Sequence, residues 1–196
     1  MGRKSRELSE AGLYHVIVRG NNKHRLFHGK SDFEKFLGLM KENRGKHPVK
    51  ILHYCLMSNH VHMLLGADEF EVISKFMHGV QRSYHHYYRK TYTWFGHLFQ
   101  GRFKSLAIQS EGYLLECGRY IERNPVRAKM VERPGEWKYS SYGVYASGEK
   151  DEMVTRSVAY EGLANQDGER RRIYRERVEI TRPYEDIIDR ELVGMK

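Results

Sequence analysis

The chain has 196 residues, 40% of them hydrophobic, which is enough to bury the core of one full domain with room for an appendage. It carries 34 Lys and Arg against 25 Asp and Glu, a formal net charge of +9, which suits a polyanionic partner or simply a basic soluble protein. Cys55 and Cys117 are its two cysteines, neither in a CxxC, and no apolar run reaches the length of a membrane span, so the expectation is a cytoplasmic protein with buried thiols and no membrane partner.

The charge is uneven. Residues 151–196 hold nine basic and eleven acidic side chains, and residues 1–150 hold 25 basic and 14 acidic. The chain therefore divides into a strongly basic body, 1–150, and a net-acidic end, 151–196. A short basic arm, Arg3-Lys4-Ser5-Arg6, opens the body and could track phosphates or remain a solvated tail.

Tyr14 to Arg19 alternates as a first strand and runs into the turn signal Gly20-Asn21-Asn22. His15 in this strand reads as structural or substrate-facing. Ser31 to Asn43 reads as a helix, with Ser31 as N-cap and Glu34 closing a capping box. Its apolar stripe is Phe33, Phe36, Leu37 and Met40. Lys50 to Gly66 reads as two adjacent buried strands with a bend near Ser58-Asn59. His60 and His62 lie two apart on the second of these, so they project together while Val61 turns to the opposite face. Two imidazoles side by side on a rigid strand can hold a divalent metal, or can simply be hydrogen-bonded histidines.

Glu69 to Lys90 reads as a second helix. Phe70, Ile73, Met77, Val80, Tyr84 and Tyr87 form its core face, and Lys75, Arg82, His85, Arg89 and Lys90 its basic face. Gly101 to Ile108 leads into a fourth strand, with Arg102 and Lys104 on one face. Gly112 to Asn124 reads as a third helix, closed by Pro125 or restarted there. Its buried side is Leu114, Cys117, Gly118 and Ile121; Tyr113, Glu116, Tyr120 and Asn124 fall on another side. Pro134 to Tyr145 is an aromatic packing segment. The net-acidic end has a helical stretch at 170–177 and packs on the core or on a partner. The order strand, helix, strand, strand, helix, strand, helix predicts an α+β fold: a ferredoxin-like domain with an antiparallel central sheet flanked by helices, plus a helical C-terminal appendage.

Four stretches in this order resemble one family. Asn59-His60-Val61-His62 resembles the His-hydrophobic-His (HUH) motif of single-tyrosine transposases acting on single-stranded DNA. Arg119-Tyr120-Ile121-Glu122-Arg123-Asn124-Pro125-Val126-Arg127-Ala128 is similar to the segment bearing their nucleophile. Phe99-Gln100-Gly101-Arg102-Phe103-Lys104-Ser105 and Trp137-Lys138-Tyr139-Ser140-Ser141-Tyr142 are similar to motifs of the REP-associated tyrosine transposase branch. The resemblance covers roughly residues 11–145, and it makes 1–150 the catalytic domain.

The resemblance implies His60 and His62 as metal ligands, Asn124 as a third, oxygen-type ligand where other members carry Gln, and Tyr120 as nucleophile. It leaves Glu116, Glu122 and Arg127 without roles. It implies Mg2+ or Mn2+, with Mn2+ better matched to two imidazoles, and a hairpin-forming single-stranded DNA partner. Homodimers occur in the family. Arg102, Lys104, Arg3, Lys4 and Arg6 are the candidate DNA contacts. The implied activity is metal-dependent cleavage and strand transfer through a 5′-phosphotyrosine. The alternatives are a DNA-binding regulator that keeps the fold without cleaving, and a hydrolytic metalloenzyme that ignores Tyr120.

Overall fold

The computed structural model describes residues 8–109 and 111–180. Arg3, Lys4 and Arg6 lie outside the described residues. Four strands, β1 (Leu13–Arg19), β2 (Lys50–Leu56), β3 (His60–Gly66) and β4 (Lys104–Ile108), form one antiparallel sheet in the order β2-β3-β1-β4. Helices α1 (Lys30–Lys46) and α2 (Phe70–Tyr92) pack together on one face of the sheet, and α3 (Glu111–Arg127) lies on the other. The expected ferredoxin-like arrangement is the one observed.

Strand alternation sorts the side chains between the two faces. Val16, Val18, Val61, Met63 and Leu65 join the core under α1 and α2. Ile17 and Leu64 join the core under α3. His62 lies in the same alternation as Leu64, so it stands on the α3 side, and Val61 on the other. Cys55 and Cys117 are both buried and unbridged.

The first helix departs from its expected start. Its N-cap is Gly29, and the acid that closes the turn is Asp32 rather than Glu34. Asp32 Oδ2 accepts from the backbone N–H groups of His28 (2.6 Å) and Gly29 (3.1 Å). Its carboxylate also accepts from the hydroxyls of Tyr87 (2.8 Å) and Tyr92 (2.7 Å), which pulls it inward from the surface position that Glu34 keeps. On α2 the fully buried aromatic beyond Tyr84 is Tyr88, not Tyr87.

The third helix runs through Pro125 to Arg127 instead of ending at Asn124. Proline has no N–H, so the carbonyl of Ile121 loses its usual partner four residues on. The Asn124 side-chain amide supplies the missing donor, with Nδ2 at 3.3 Å from the Ile121 carbonyl and 2.8 Å from that of Tyr120.

The segment after α3 covers the open edge of β2. Leu56 N–H donates to the Tyr139 carbonyl (2.9 Å), Trp137 Nε1 donates to the Leu56 carbonyl (3.0 Å), and Tyr139 stacks on Phe33 at 4.0 Å. Short helices α4 (Tyr142–Ala146) and α5 (Val158–Glu161) and the longer α6 (Asp167–Glu179) then form a third apolar cluster around Tyr145, Tyr160 and Tyr174. The expected helical stretch at 170–177 lies inside α6.

Candidate active site

β1 and β3 run side by side, and their register places Arg19 opposite His60 and Ile17 opposite His62. β4 adds Lys104 opposite Ile17. His15, two residues before Ile17, comes up beside His62 on the same face. The imidazoles of His60 and His62 have centroids 4.9 Å apart, so the expected pairing on one strand face is present.

The hydrogen bonds fix which nitrogen of His60 is available. Asn59 Nδ2 donates to the Lys23 carbonyl (3.1 Å), which orients its amide and turns Oδ1 toward His60. Oδ1 accepts only, so His60 Nδ1 is the protonated nitrogen across the 2.6 Å contact and Nε2 keeps its lone pair. His62 Nδ1 meets His15 Nε2 at 3.0 Å, and His62 Nε2 is buried with no hydrogen-bond partner. Burial, and then the Arg19 guanidinium, hold the His60 imidazole down to about 4. Burial, with His60, His15, Arg127 and Arg19 behind it, pushes His62 well below its ordinary value, and burial takes His15 to about 3. All three rings are neutral at pH 7, with lone pairs rather than charges to offer.

α3 brings Tyr120 to this group. Its ring lies 5.6 Å from the His62 ring and 5.6 Å from the His15 ring, and the Arg127 guanidinium sits 5.0 Å above it. Tyr120 is fully enclosed, whereas Tyr113, the other tyrosine on this helix, is 55% exposed. Asn124, one turn beyond Tyr120, spends its Nδ2 on the helix carbonyls and so presents Oδ1 as an acceptor.

A cavity of about 130 Å3 opens beside His60, walled by Ile17, Arg19, Gln100, Gly101, Arg102 and Lys104. Gly101 has φ of +101°, a backbone conformation that side chains rarely adopt. Just before this glycine the Gln100 N–H donates to the Arg19 carbonyl (2.9 Å). Arg102 and Lys104 thus line the same recess as His60.

The donor set suits a divalent ion. His60 has its Nε2 lone pair available, and His62 has its buried, unpartnered Nε2 available in the tautomer in which its Nδ1 donates to His15; each Nδ1 is held by a neighbour in the manner that orients metal-binding histidines. Among the described residues no group of three or more His, Cys, Asp or Glu could hold a metal, so a third donor from the protein would be an amide oxygen such as that of Asn124.

Two residues here, Arg19 and Arg127, were not assigned roles from sequence, and His15 was read only as structural or substrate-facing. His15 carries the orienting contact to His62, Arg19 the nearest charge to His60, and Arg127 the cation over Tyr120. For Arg19 the signal was available, since strand pairing of the first and third strands puts it opposite His60. For His15 and Arg127 it required the sheet register and the continuation of α3 past proline.

Comparison with known proteins adds three findings. The family described as "Transposase IS200 like" matches residues 9–124, a span that includes His60, His62, Tyr120 and Asn124. A solved structure of a REP-associated tyrosine transposase bound to a REP hairpin is similar over 81% of this chain and 99% of that one, at 16% identity and a TM-score of 0.64. A structure of a candidate transposase from Deinococcus radiodurans R1 covers 62% of this chain and 97% of its own, at 18% identity and a TM-score of 0.43. No curated protein matches the chain.

Proposed function

The chain belongs to the IS200-like transposase family, and from that premise we propose that it is a metal-dependent single-strand DNA endonuclease and strand transferase of the REP-associated branch, acting on hairpin-forming DNA. The observation that carries this reading is the meeting of a tyrosine from α3 with His62 of the β3 histidine pair, ring to ring at 5.6 Å, while His60, 4.9 Å further on, opens on a cavity walled by Arg19, Arg102 and Lys104. The likeness in fold to a REP-associated transposase that was solved with a REP hairpin supports the branch and the substrate.

In this reading His60, His62 and Asn124 hold Mg2+ or Mn2+. A bound divalent ion supplies charge neutralisation and orientation of the scissile phosphate. The protein's own groups do the rest. Arg19, Arg102 and Lys104 draw the phosphodiester into the cavity and offset its charge. Tyr120 Oη loses its proton and bonds to phosphorus. The bond from phosphorus to the 3′-oxygen breaks, and that oxygen takes up a proton, leaving a 5′-phosphotyrosine and a free 3′-hydroxyl. A second strand's 3′-hydroxyl reverses the step and reseals the backbone, so no nucleotide hydrolysis is required. Arg127, above the Tyr120 ring, favours the electron-rich phenol as its proton leaves. Because Tyr120 is enclosed, its side chain must be uncovered before its oxygen meets a phosphate.

The test is incubation with a labelled hairpin-tailed single strand and Mn2+. A denaturant-resistant protein–DNA adduct in the wild type, absent in Tyr120→Phe and with chelator, is the expected result. Binding without any adduct supports the regulator instead. Tight zinc binding with hydrolysis of small esters, indifferent to Tyr120→Phe, supports the metalloenzyme.

A further inference from the structure

The cavity at His60 does not end at Arg102. A second recess of about 420 Å3 begins there, sharing Gly101 and Arg102 with the first and reaching His78, Arg82 and His85 on α2. A third, of about 510 Å3, shares Arg82 with the second and continues to Lys35, His86 and Lys90. The three recesses thus link through two shared cations. His78, Arg82, His86 and Lys90 follow one another at four-residue steps, so they form a single exposed stripe on α2, and Arg82 and Lys90 lie about 12 Å apart along its axis.

The chemistry of the stripe is uniform. No Asp or Glu lines any of the three recesses, although a recess elsewhere on the surface, at Glu10 and Asp68, is lined by acids. Among the described residues Arg82, Lys90, Arg102 and Lys104 form no ion pair, whereas Arg170, Arg171 and Arg172 on α6 each hold a carboxylate. Unpaired cations in file without acids between them are costly as a structural device and favourable as a track for phosphates.

We infer that the single strand flanking the reacting phosphate leaves the His60 cavity past Gly101 and Arg102 and runs along the exposed stripe of α2, its backbone phosphates against Arg82 and then Lys90. This rests on the proposed single-strand chemistry for the start of the path, and it adds the direction in which the strand departs. The occupant is an extended single-stranded backbone, because the track is a line of separated cations one helix wide.

The test measures equilibrium binding by fluorescence anisotropy in chelator, so that cleavage does not intervene. One oligonucleotide carries only a hairpin and a few flanking nucleotides; two others add a single-stranded extension of about 15 nucleotides on the 5′ or the 3′ side. Binding of one extended strand should be tighter and steeper in salt than that of the short one. Arg82→Ala with Lys90→Ala should weaken that binding about tenfold and reduce the slope of log K against log salt by about 1.4, from two single-strand phosphate contacts at roughly 0.7 each. The short oligonucleotide should bind this variant as it binds the wild type, and Arg82→Lys with Lys90→Arg should restore the extended strand. Equal binding of the extended strands by the double alanine variant and the wild type overturns the track. Adduct formation with Tyr120, measured separately with Mn2+, tells the two ideas apart. An adduct with no effect of the double variant sinks the track alone, and the extension effect without any adduct sinks the chemistry alone.

Discussion

His62 offers a metal its Nε2 only while Nδ1 carries the ring proton, and the group placed to accept that proton is His15 Nε2 at 3.0 Å. A partner of this kind typically contributes 10- to 100-fold to metal affinity. His15→Phe, which keeps the ring volume against Tyr120 and deletes the acceptor, should therefore weaken Mn2+ binding by about 10- to 100-fold in a direct titration, while His15→Gln, which retains an acceptor, should lose less. Unchanged affinity in His15→Phe would mean that the contact is mere packing. A second residue-scale prediction concerns Asp32. Burial by itself raises a carboxyl, but the hydroxyl of Tyr92, the N–H of His28, the hydroxyl of Tyr87 and the N–H of Gly29 outweigh it and hold Asp32 below the ordinary carboxylate value. A lowered folded value means the stabilisation is complete above the ordinary carboxylate range and is lost as pH falls through the folded value. Asp32→Asn should cost about 2 kcal/mol at pH 7 and progressively less at lower pH, as hydrogen bonds to charge are worth roughly that much. Denaturant melts of the two proteins across pH 3–7 check it, and a gap that stays constant with pH counts against the assignment.

Strand alternation and helix period made the sheet, both helices of the first face and the histidine pair readable from the chain. What escaped was whatever depended on a second element arriving. The cap of α1 moved two residues upstream because two tyrosines from α2 draw Asp32 inward. α3 was expected to bury one stripe, yet Arg119, Tyr120, Glu122, Arg123 and Asn124 are all buried, since the sheet covers one side and α6 the other. No periodicity within α3 encodes that second cover. Tyr120 was legible only through its likeness to a known motif, because its burial and ring contacts come from β1 and β3. Gly118 shows how closely α3 sits. A Cβ there would lie 2.5 Å from His53 Nε2 and 2.6 Å from Cε1, and the His53 ring has no room to yield, stacked on Tyr145 at 4.2 Å and bonded to Glu122 at 2.9 Å. Alanine improves helix propensity by up to about 1 kcal/mol, but overpacking costs roughly 1–3. Gly118→Ala should thus lower the melting temperature by several degrees and reduce adduct yield by moving Tyr120 relative to β3. A melting temperature at or above that of the wild type would show that the helix has slack.

At the scale of the whole molecule, the division into a basic body and a net-acidic end is one of composition, and the described part of that end, 151–180, packs on α3 through α5 and α6. The acids of the described C-terminal stretch are largely spent on its own arginines: Asp167 on Arg170 and Arg171, Glu161 on Arg170 and Arg156, Glu176 on Arg172. They leave little field to compete for phosphate. The contact with the body combines a surface ion pair, Lys41 to Glu152 at 2.8 Å, with buried groups. The last carbonyls of α6 have no helical partner, and Arg119 donates to that of Ile180 while Arg123 donates to those of Val178 and Glu179, the latter two at 2.8 Å. Cations there also meet the negative end of the helix dipole. At the centre, Glu122 accepts from His53 of β2 (2.9 Å), Ser141 beside α4 (2.7 Å) and Tyr174 of α6 (2.7 Å), so one carboxylate joins sheet, edge segment and appendage. Glu122→Ala leaves the buried donors of His53 and Tyr174 without an acceptor and Ser141 with only its 3.4 Å contact to the Tyr54 carbonyl, a loss of about 3 kcal/mol, which for a chain of this length corresponds to a fall of roughly 10 °C. Because those donors come from three parts of the chain, the variant should still unfold in one transition, followed alike by far-ultraviolet circular dichroism and by Trp137 fluorescence at the β2 edge. Two separated transitions would mean that residues 151–180 fold as an independent unit, and that α6 does not help hold the helix that carries Tyr120.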